Sequence, residues 1–228
     1  MKYGLRNIKA ELGLLAIFYV ASLFIGSCNS KGNTVTGPQN SNQIKVKSFS
    51  STPMDTVTFG AGCFWCVEAV FQRLKGVQSI KSGYSGGSVK NPSYKEVCNG
   101  TTGHAEVCQV IYNKEEIAFE ELLEVFWKTH DPTTLNRQGN DFGTQYRSVI
   151  FYHSEEQKGL AEKYKSKLNE AKAYENPVIT EITAFTNFYP AEDYHQNYFN
   201  ANGSEPYCKF VIQPKLEKFE KVFKDKIK

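Results

Sequence analysis

Two cysteines three residues apart, Cys63 and Cys66, stand where a glycine-bearing turn runs into an apolar repeat, in the stretch Phe59-Gly60-Ala61-Gly62-Cys63-Phe64-Trp65-Cys66-Val67-Glu68-Ala69-Val70-Phe71. Thiols so placed are suited to nucleophilic and redox chemistry. Thr56 to Phe59 is rich enough in β-branched and aromatic side chains for a strand end, and Gly60 and Gly62 permit a tight turn. Val67, Val70, Phe71 and Leu74 then repeat at helical spacing, which predicts a helix starting near Cys63. Free backbone N–H groups and the positive end of the helix dipole favour an anion there. Cys63 is therefore expected to titrate below the roughly 8.5 of a free thiol and to be nucleophilic near neutrality. Cys66 lies over the same face of the first turn, within the span that a disulfide bridges.

A Cys-x-x-Cys pair also fits half of a zinc site, a pair of small buried hydrophobes, or a thioredoxin-type disulfide oxidoreductase acting on proteins. Zinc needs a second ligand pair, and no other Cys-x-x-Cys and no His-x-x-x-His occurs in the chain. Phe64 and Trp65, two large aromatics between the thiols, build an apolar pocket rather than a metal shell. No metal and no cofactor are expected.

The elements that must position these thiols follow in order. Gly76 closes the first helix, Val77 to Gly83 reads as a strand, and Asn91-Pro92-Ser93-Tyr94 opens a short helical piece through Cys98. Ala105 to Tyr112 is a strand, and Phe119, Leu122, Leu123 and Phe126 mark a helix face. His130 to Tyr146 is a long polar loop, and loops of that length in compact domains are usually functional. Ser148 to Tyr152 is a strand; Ser154 and Gln157 suit a capping box for a helix through Leu160, Tyr164 and Leu168. Val178 to Phe185 reads as a strand, Glu192 to Phe199 as a short helix and Tyr207 to Ile212 as a last strand. Pro214 opens a terminal helix carrying Leu216, Phe219 and Phe223. Several connections are too short for parallel crossovers, so the expected fold is α+β, a mixed-sheet two-layer sandwich with helices packed on the sheet.

At 228 residues, 40% hydrophobic and 22% charged, the chain is long enough for one good core. Its net charge of +3 draws largely on Lys2, Arg6 and Lys9, so nothing points to nucleic acid. Residues 1–27 combine that basic start with the apolar run Leu12 to Ile25, shorter than the roughly 20 residues that span a bilayer, and read as an export signal. Leu23-Phe24-Ile25-Gly26-Ser27-Cys28 resembles a bacterial lipobox, which makes Cys28 the expected lipid attachment point. Several acyl chains on one cysteine hold a protein stably at a membrane. Residues 28–54 have too few apolar side chains to offset their ordering entropy and read as a flexible tether. The domain proper is expected over 55–228, in a membrane-anchored, exported bacterial lipoprotein at the periplasmic or outer face.

Over essentially all of that domain the chain resembles the type A peptide methionine sulfoxide reductases. The resemblance rests on Gly62-Cys63-Phe64-Trp65, Gly83-Tyr84-Ser85-Gly86-Gly87, Asn91-Pro92-Ser93-Tyr94 and Thr102-Gly103-His104-Ala105-Glu106. It continues through Asp131-Pro132-Thr133-Thr134, Gln138-Gly139-Asn140-Asp141, Gly143-Thr144-Gln145-Tyr146-Arg147-Ser148 and Ala191-Glu192-Asp193-Tyr194-His195-Gln196. It implies reduction of methionine-S-sulfoxide, free or in proteins, by a monomer that repairs oxidised proteins. Cys63 is then the nucleophile and Glu106 the general acid, its pKa raised by an apolar pocket. Tyr94 and Tyr146 resemble the family's hydroxyl donors to the sulfoxide oxygen, with Asp141 close by, while Phe64 and Trp65 cage the S-methyl group. Attack leaves a sulfenic acid on Cys63, which a second thiol converts to a disulfide for a thioredoxin-like donor to reduce.

The family commonly has glycine where this chain has Cys66, and often resolves through cysteines in a glycine-rich tail that this chain lacks. Spacing favours Cys66 as the resolving thiol; Cys208 is the other candidate, in a segment expected to be pinned as a strand. Cys98 and Cys108 are expected at buried structural positions.

Overall fold

Alternation along the strand Met54–Ala61 (β1) sets the two sides of the molecule: Val57 and Phe59 are fully buried and Ala61 nearly so on one face, with Thr58 and Gly60 turned to the other. The computed structural model describes residues 53–228. The expected leader, Cys28 and nearly all of the 28–54 tether lie outside the described residues.

Around β1 forms one six-stranded sheet. Its other strands are Val77–Ser85 (β2), Ala105–Asn113 (β3), Ser148–Tyr152 (β6), Glu181–Ala184 (β7) and Tyr189–Pro190 (β8), in the order β7-β6-β1-β3-β2-β8. Every pairing is antiparallel except β6 with β7, which the helix Glu155–Glu170 (α4) joins by a crossover. This is the mixed-sheet α+β sandwich expected from the pattern of elements.

The helices Phe64–Phe71 (α1) and Phe119–Thr129 (α3) cover the inner face. Phe59 is clamped between Phe71 of α1 and Phe126 of α3, at ring centroid separations of 5.2 and 4.9 Å. Each such buried phenylalanine contributes about 1.5–3 kcal/mol. The opposite face is closed by loop residues, with Phe185 and Phe188 lying on Ala105, Val107, Val149 and Phe151. Tyr94–Cys98 (α2) is capped by Ser93, whose hydroxyl accepts from Glu96 N–H while the Glu96 carboxylate accepts from Ser93 N–H, a complete capping box.

Four expectations need correction. The long polar segment after α3 is not irregular: it holds a two-stranded hairpin, Arg137–Gln138 (β4) with Asp141–Phe142 (β5), and a 3₁₀ turn at Thr144–Tyr146. Glu192–Phe199 is not one helix, because Asn197 adopts φ +53° and separates a 3₁₀ turn at Asp193–His195 from the helix Tyr198–Ala201 (α5). The Ser154 cap forms, but Gln157 turns its side chain to His153 N–H and Thr56 C=O instead of closing the box.

The fourth concerns Tyr207 to Ile212. Cys208–Ile212 is a π-helical turn leading into the helix Gln213–Val222 (α6), with Phe210 and Val211 in solvent. Its composition suits a strand, yet its buried residues, Cys208 and Ile212, stand four apart and continue as Leu216, Phe219 and Phe223, a helical period that outweighs β propensity.

Gly62 has φ +87°, and a Cβ there would lie 2.5 Å from Gln138 Cγ, so this turn needs glycine both for its conformation and for the approach of the β4–β5 hairpin. Gly62→Ala is expected to cost about 1–3 kcal/mol from the strained backbone alone, with the hairpin displaced as well. A urea denaturation midpoint equal to that of the unaltered protein would contradict this.

Candidate active site

The site assembles where the inner face of the sheet meets the start of α1. Cys63 occupies the N-cap position, with φ −54° and ψ 124°, and Phe64 opens the helix. From the neighbouring strand β3, Glu106 brings its carboxyl under the helix start and accepts the Phe64 N–H at 3.1 Å. It is 1% exposed, and burial pushes it up to about 8, so it holds a proton at neutral pH. A buried carboxyl poised to donate is therefore adjacent to a buried thiol.

The thiol pair does not ionise as its position in the sequence suggested. Cys63 is pushed well up, first by burial, then by its hydrogen bond with Cys66 and by the nearby Glu106. Cys66 is lowered to about 6, chiefly because the Cys63 thiol donates to it, with help from the Lys215 ammonium. The two thiols therefore ionise as one coupled unit, with Cys63 held up and Cys66 held down by the hydrogen bond between them. The expectation that Cys63 titrates low fails for two reasons: the sulfur is buried, and the first helical N–H is already committed to Glu106.

Around the pair lie the other residues singled out from the sequence. Tyr146, at the end of its 3₁₀ turn, and Tyr94, the first residue of α2, both feel the Glu106 charge and are pushed up mainly by burial, so both remain protonated donors. The Tyr94 hydroxyl bonds Cys98, which is half-buried rather than the fully buried cysteine expected. Cys108 is fully buried and donates to Phe64 C=O at 3.4 Å. Asp141, presented by β5, accepts the Tyr207 hydroxyl at 2.8 Å. Cys208 is fully buried in the π-helical turn, near enough to Cys66 to feel its charge. All five described cysteines are free thiols.

The apolar wall is more elaborate than Phe64 and Trp65 alone. Trp65 stacks on Tyr198 at 3.7 Å with 7° between the planes, and Tyr207 meets it edge-on at 5.8 Å. Its indole N–H donates to His195 Nδ1 at 3.2 Å, and the buried His195 ring also lies against Phe64 and Tyr94. Glu192, from the same segment, accepts from the Tyr94 N–H and the Tyr84 hydroxyl. Tyr207 and Tyr198 escaped the sequence reading as site residues, since nothing local marks them. The one available signal was the aromatic content of the stretch from Tyr189 to Phe210.

Comparison with known proteins agrees with this geometry. The family profile described as Peptide methionine sulfoxide reductase matches residues 55–227. Among curated relatives, the peptide methionine sulfoxide reductase MsrA of Sulfolobus acidocaldarius is 57% identical over 76% of this chain and 97% of its own length. That of Trichodesmium erythraeum is 53% identical over 76% and 98%. Among solved structures, methionine sulfoxide reductase A of Corynebacterium diphtheriae is 35% identical with a TM-score of 0.60, covering 67% of this chain and 77% of its own. Mxr1 from Saccharomyces cerevisiae in reduced form is 38% identical with a TM-score of 0.63, covering 68% and 89%. With a fold, a profile over nearly all of the described residues and relatives above half identity in accord, the chain belongs to the peptide methionine sulfoxide reductase family and is an oxidoreductase that reduces methionine sulfoxide.

Proposed function

We propose that the chain reduces methionine-S-sulfoxide with Cys63 as nucleophile, Glu106 as acid and Cys66 as both the first base and the resolving thiol. The observation that carries this is the protonated Glu106 carboxyl buried against the first turn of the helix that Cys63 caps. A sulfoxide is polarised so that sulfur is electrophilic, but its oxygen departs only if protonated. The Cys66 thiolate takes the Cys63 proton along their hydrogen bond, and the Cys63 thiolate attacks sulfur. Glu106 delivers its proton to the oxygen, steadied by the Tyr94 and Tyr146 hydroxyls, while Phe64 and Trp65 enclose the methyl group.

Collapse of the adduct releases methionine and leaves Cys63 as S–OH. Cys66 then returns its proton by way of Glu106 to the departing hydroxide as it attacks the Cys63 sulfur. An S–S bond forms, an S–O bond breaks, water leaves and Glu106 is left ionised until solvent reprotonates it. A dithiol donor of the thioredoxin class reduces the disulfide.

The tail and location belong to the same reading. The basic and apolar start, the lipobox-like Leu23 to Cys28 and the polar stretch after it support an exported enzyme anchored through lipid on Cys28 and repairing oxidised proteins outside the cytoplasm. The reductant is then an exported thioredoxin-like protein.

Glu106→Gln is expected to slow single-turnover methionine formation by roughly 10²–10⁴-fold. The acid is present below about pH 8 and lost above it, whereas the thiolate of the pair appears as pH rises through about 6. The profile of kcat/KM should therefore be a bell between those limbs, and the variant should lack the upper one; an unchanged single-turnover rate would place the acid elsewhere. Cys66→Ser is expected to release at most one methionine per enzyme, slowly, and to stall with a dimedone-trappable sulfenic acid. Cys208→Ser should turn over nearly normally, and the reverse pattern would make Cys208 the resolving thiol. For the anchor, Cys28→Ala should move the protein out of the detergent phase of a Triton X-114 partition without changing turnover in vitro. A protein that partitions as before would remove the lipid assignment.

A further inference from the structure

Glu68 lies on α1 five residues beyond Cys63, is 3% exposed, and has no part in the chemistry above. Its two carboxylate oxygens go to the chain on the far side of the pocket: Oε1 accepts from Asn197 N–H at 2.8 Å and Oε2 from Tyr198 N–H at 3.2 Å. Ser82 of β2 lies near enough to favour its ionised form. A carboxyl this deeply buried is costly, and the two backbone donors offset part of that cost. The segment that it grips cannot hold itself. Asn197 sits in the left-handed region at φ +53°, and α5 is a single turn with no side-chain cap of its own. The residue immediately after Asn197 is Tyr198, whose ring lies flat on Trp65 at 3.7 Å.

We propose that Glu68 is a positioning residue for substrate selection: by fixing the backbone at Asn197 and Tyr198 it seats the Tyr198 ring on Trp65 and so sets the width of the pocket for the S-methyl group. The inference rests on the assignment of Trp65 to the methyl wall. Gln196 supports the same segment from its other side, exchanging two hydrogen bonds with the Ser82 backbone at 3.0 Å each, in the manner of an added strand residue. The wall is thus tied both to the sheet, through Gln196, and to the nucleophile's own helix, through Glu68. The second tie fixes the wall directly to the helix that Cys63 caps.

Glu68→Gln keeps the shape but replaces one acceptor oxygen by an NH₂ group, which then faces a backbone N–H. The expected result is a KM for free methionine sulfoxide raised about tenfold with kcat within about twofold. Preference for methionine sulfoxide over ethionine sulfoxide, one methylene larger, should fall severalfold, since one methylene in a fitted pocket is worth roughly 10–200-fold. Tyr198→Leu, which leaves Glu68 in place, should shift KM and the methyl-to-ethyl ratio in the same way, and the double variant should be no worse than either single one. Unchanged KM and ratio in folded Glu68→Gln would overturn the proposal, as would unchanged values in Tyr198→Leu should the first variant fail to fold. If instead Trp65→Ala leaves both quantities unchanged, the methyl-wall assignment itself is wrong, an outcome distinguishable from failure at Glu68 alone.

Discussion

The hydrogen bond from Phe64 N–H to the Glu106 carboxyl at 3.1 Å ties the central strand β3 to the start of α1, and the site depends on it. It places an acid beside a thiol and consumes the amide that would otherwise stabilise that thiol as an anion. Burial keeps the carboxyl protonated, which makes the bond affordable at neutral pH: a charged carboxylate 1% exposed with one backbone donor would be under-compensated. The same low dielectric that makes Glu106 an acid therefore prevents Cys63 from being a simple thiolate.

That conflict explains why a second thiol belongs here. With the helix terminus committed to Glu106, the hydrogen bond between the two thiols lowers Cys66, and the Lys215 ammonium adds to that. Lys215 lies in the first turn of α6 and Tyr207 immediately before the π-helical turn that leads into it. In this chain the segment past Gly203 contributes to the electrostatics of the thiols, while its own cysteine, Cys208, is buried.

The walls around the thiols follow a similar logic. His195, Tyr198 and Glu192 sit on a stretch with little regular structure, between the two-residue strand β8 and α6, and such backbone holds its shape only through partners. Gln196 on Ser82, Glu68 on Asn197 and Tyr198, and Trp65 on His195 supply them. The hairpin β4–β5 meets the Gly62 turn in the same way, with Gln138 against the glycine and Asp141 bonded to Tyr207.

The sequence by itself determined the nucleophile's setting, because those signals are local. A glycine with positive φ, two cysteines three apart, a helical repeat from Val67 and an intact Ser93–Glu96 box are all decided within one or two turns of chain. Strand alternation likewise fixed the inner face of β1, and the interleaving of elements fixed the α+β class. Only the tertiary structure decided that Cys63 does not titrate low, since burial and the carboxyl of Glu106 reach it from a strand more than 40 residues away. It also decided that Tyr207 faces the thiols and that Cys208 lies in a helical turn, where packing at i, i+4 overrode the β propensity of Tyr207 to Ile212. Propensity and spacing describe a chain's neighbours along the sequence; desolvation and long-range charge depend on neighbours in space, which this fold alone supplies.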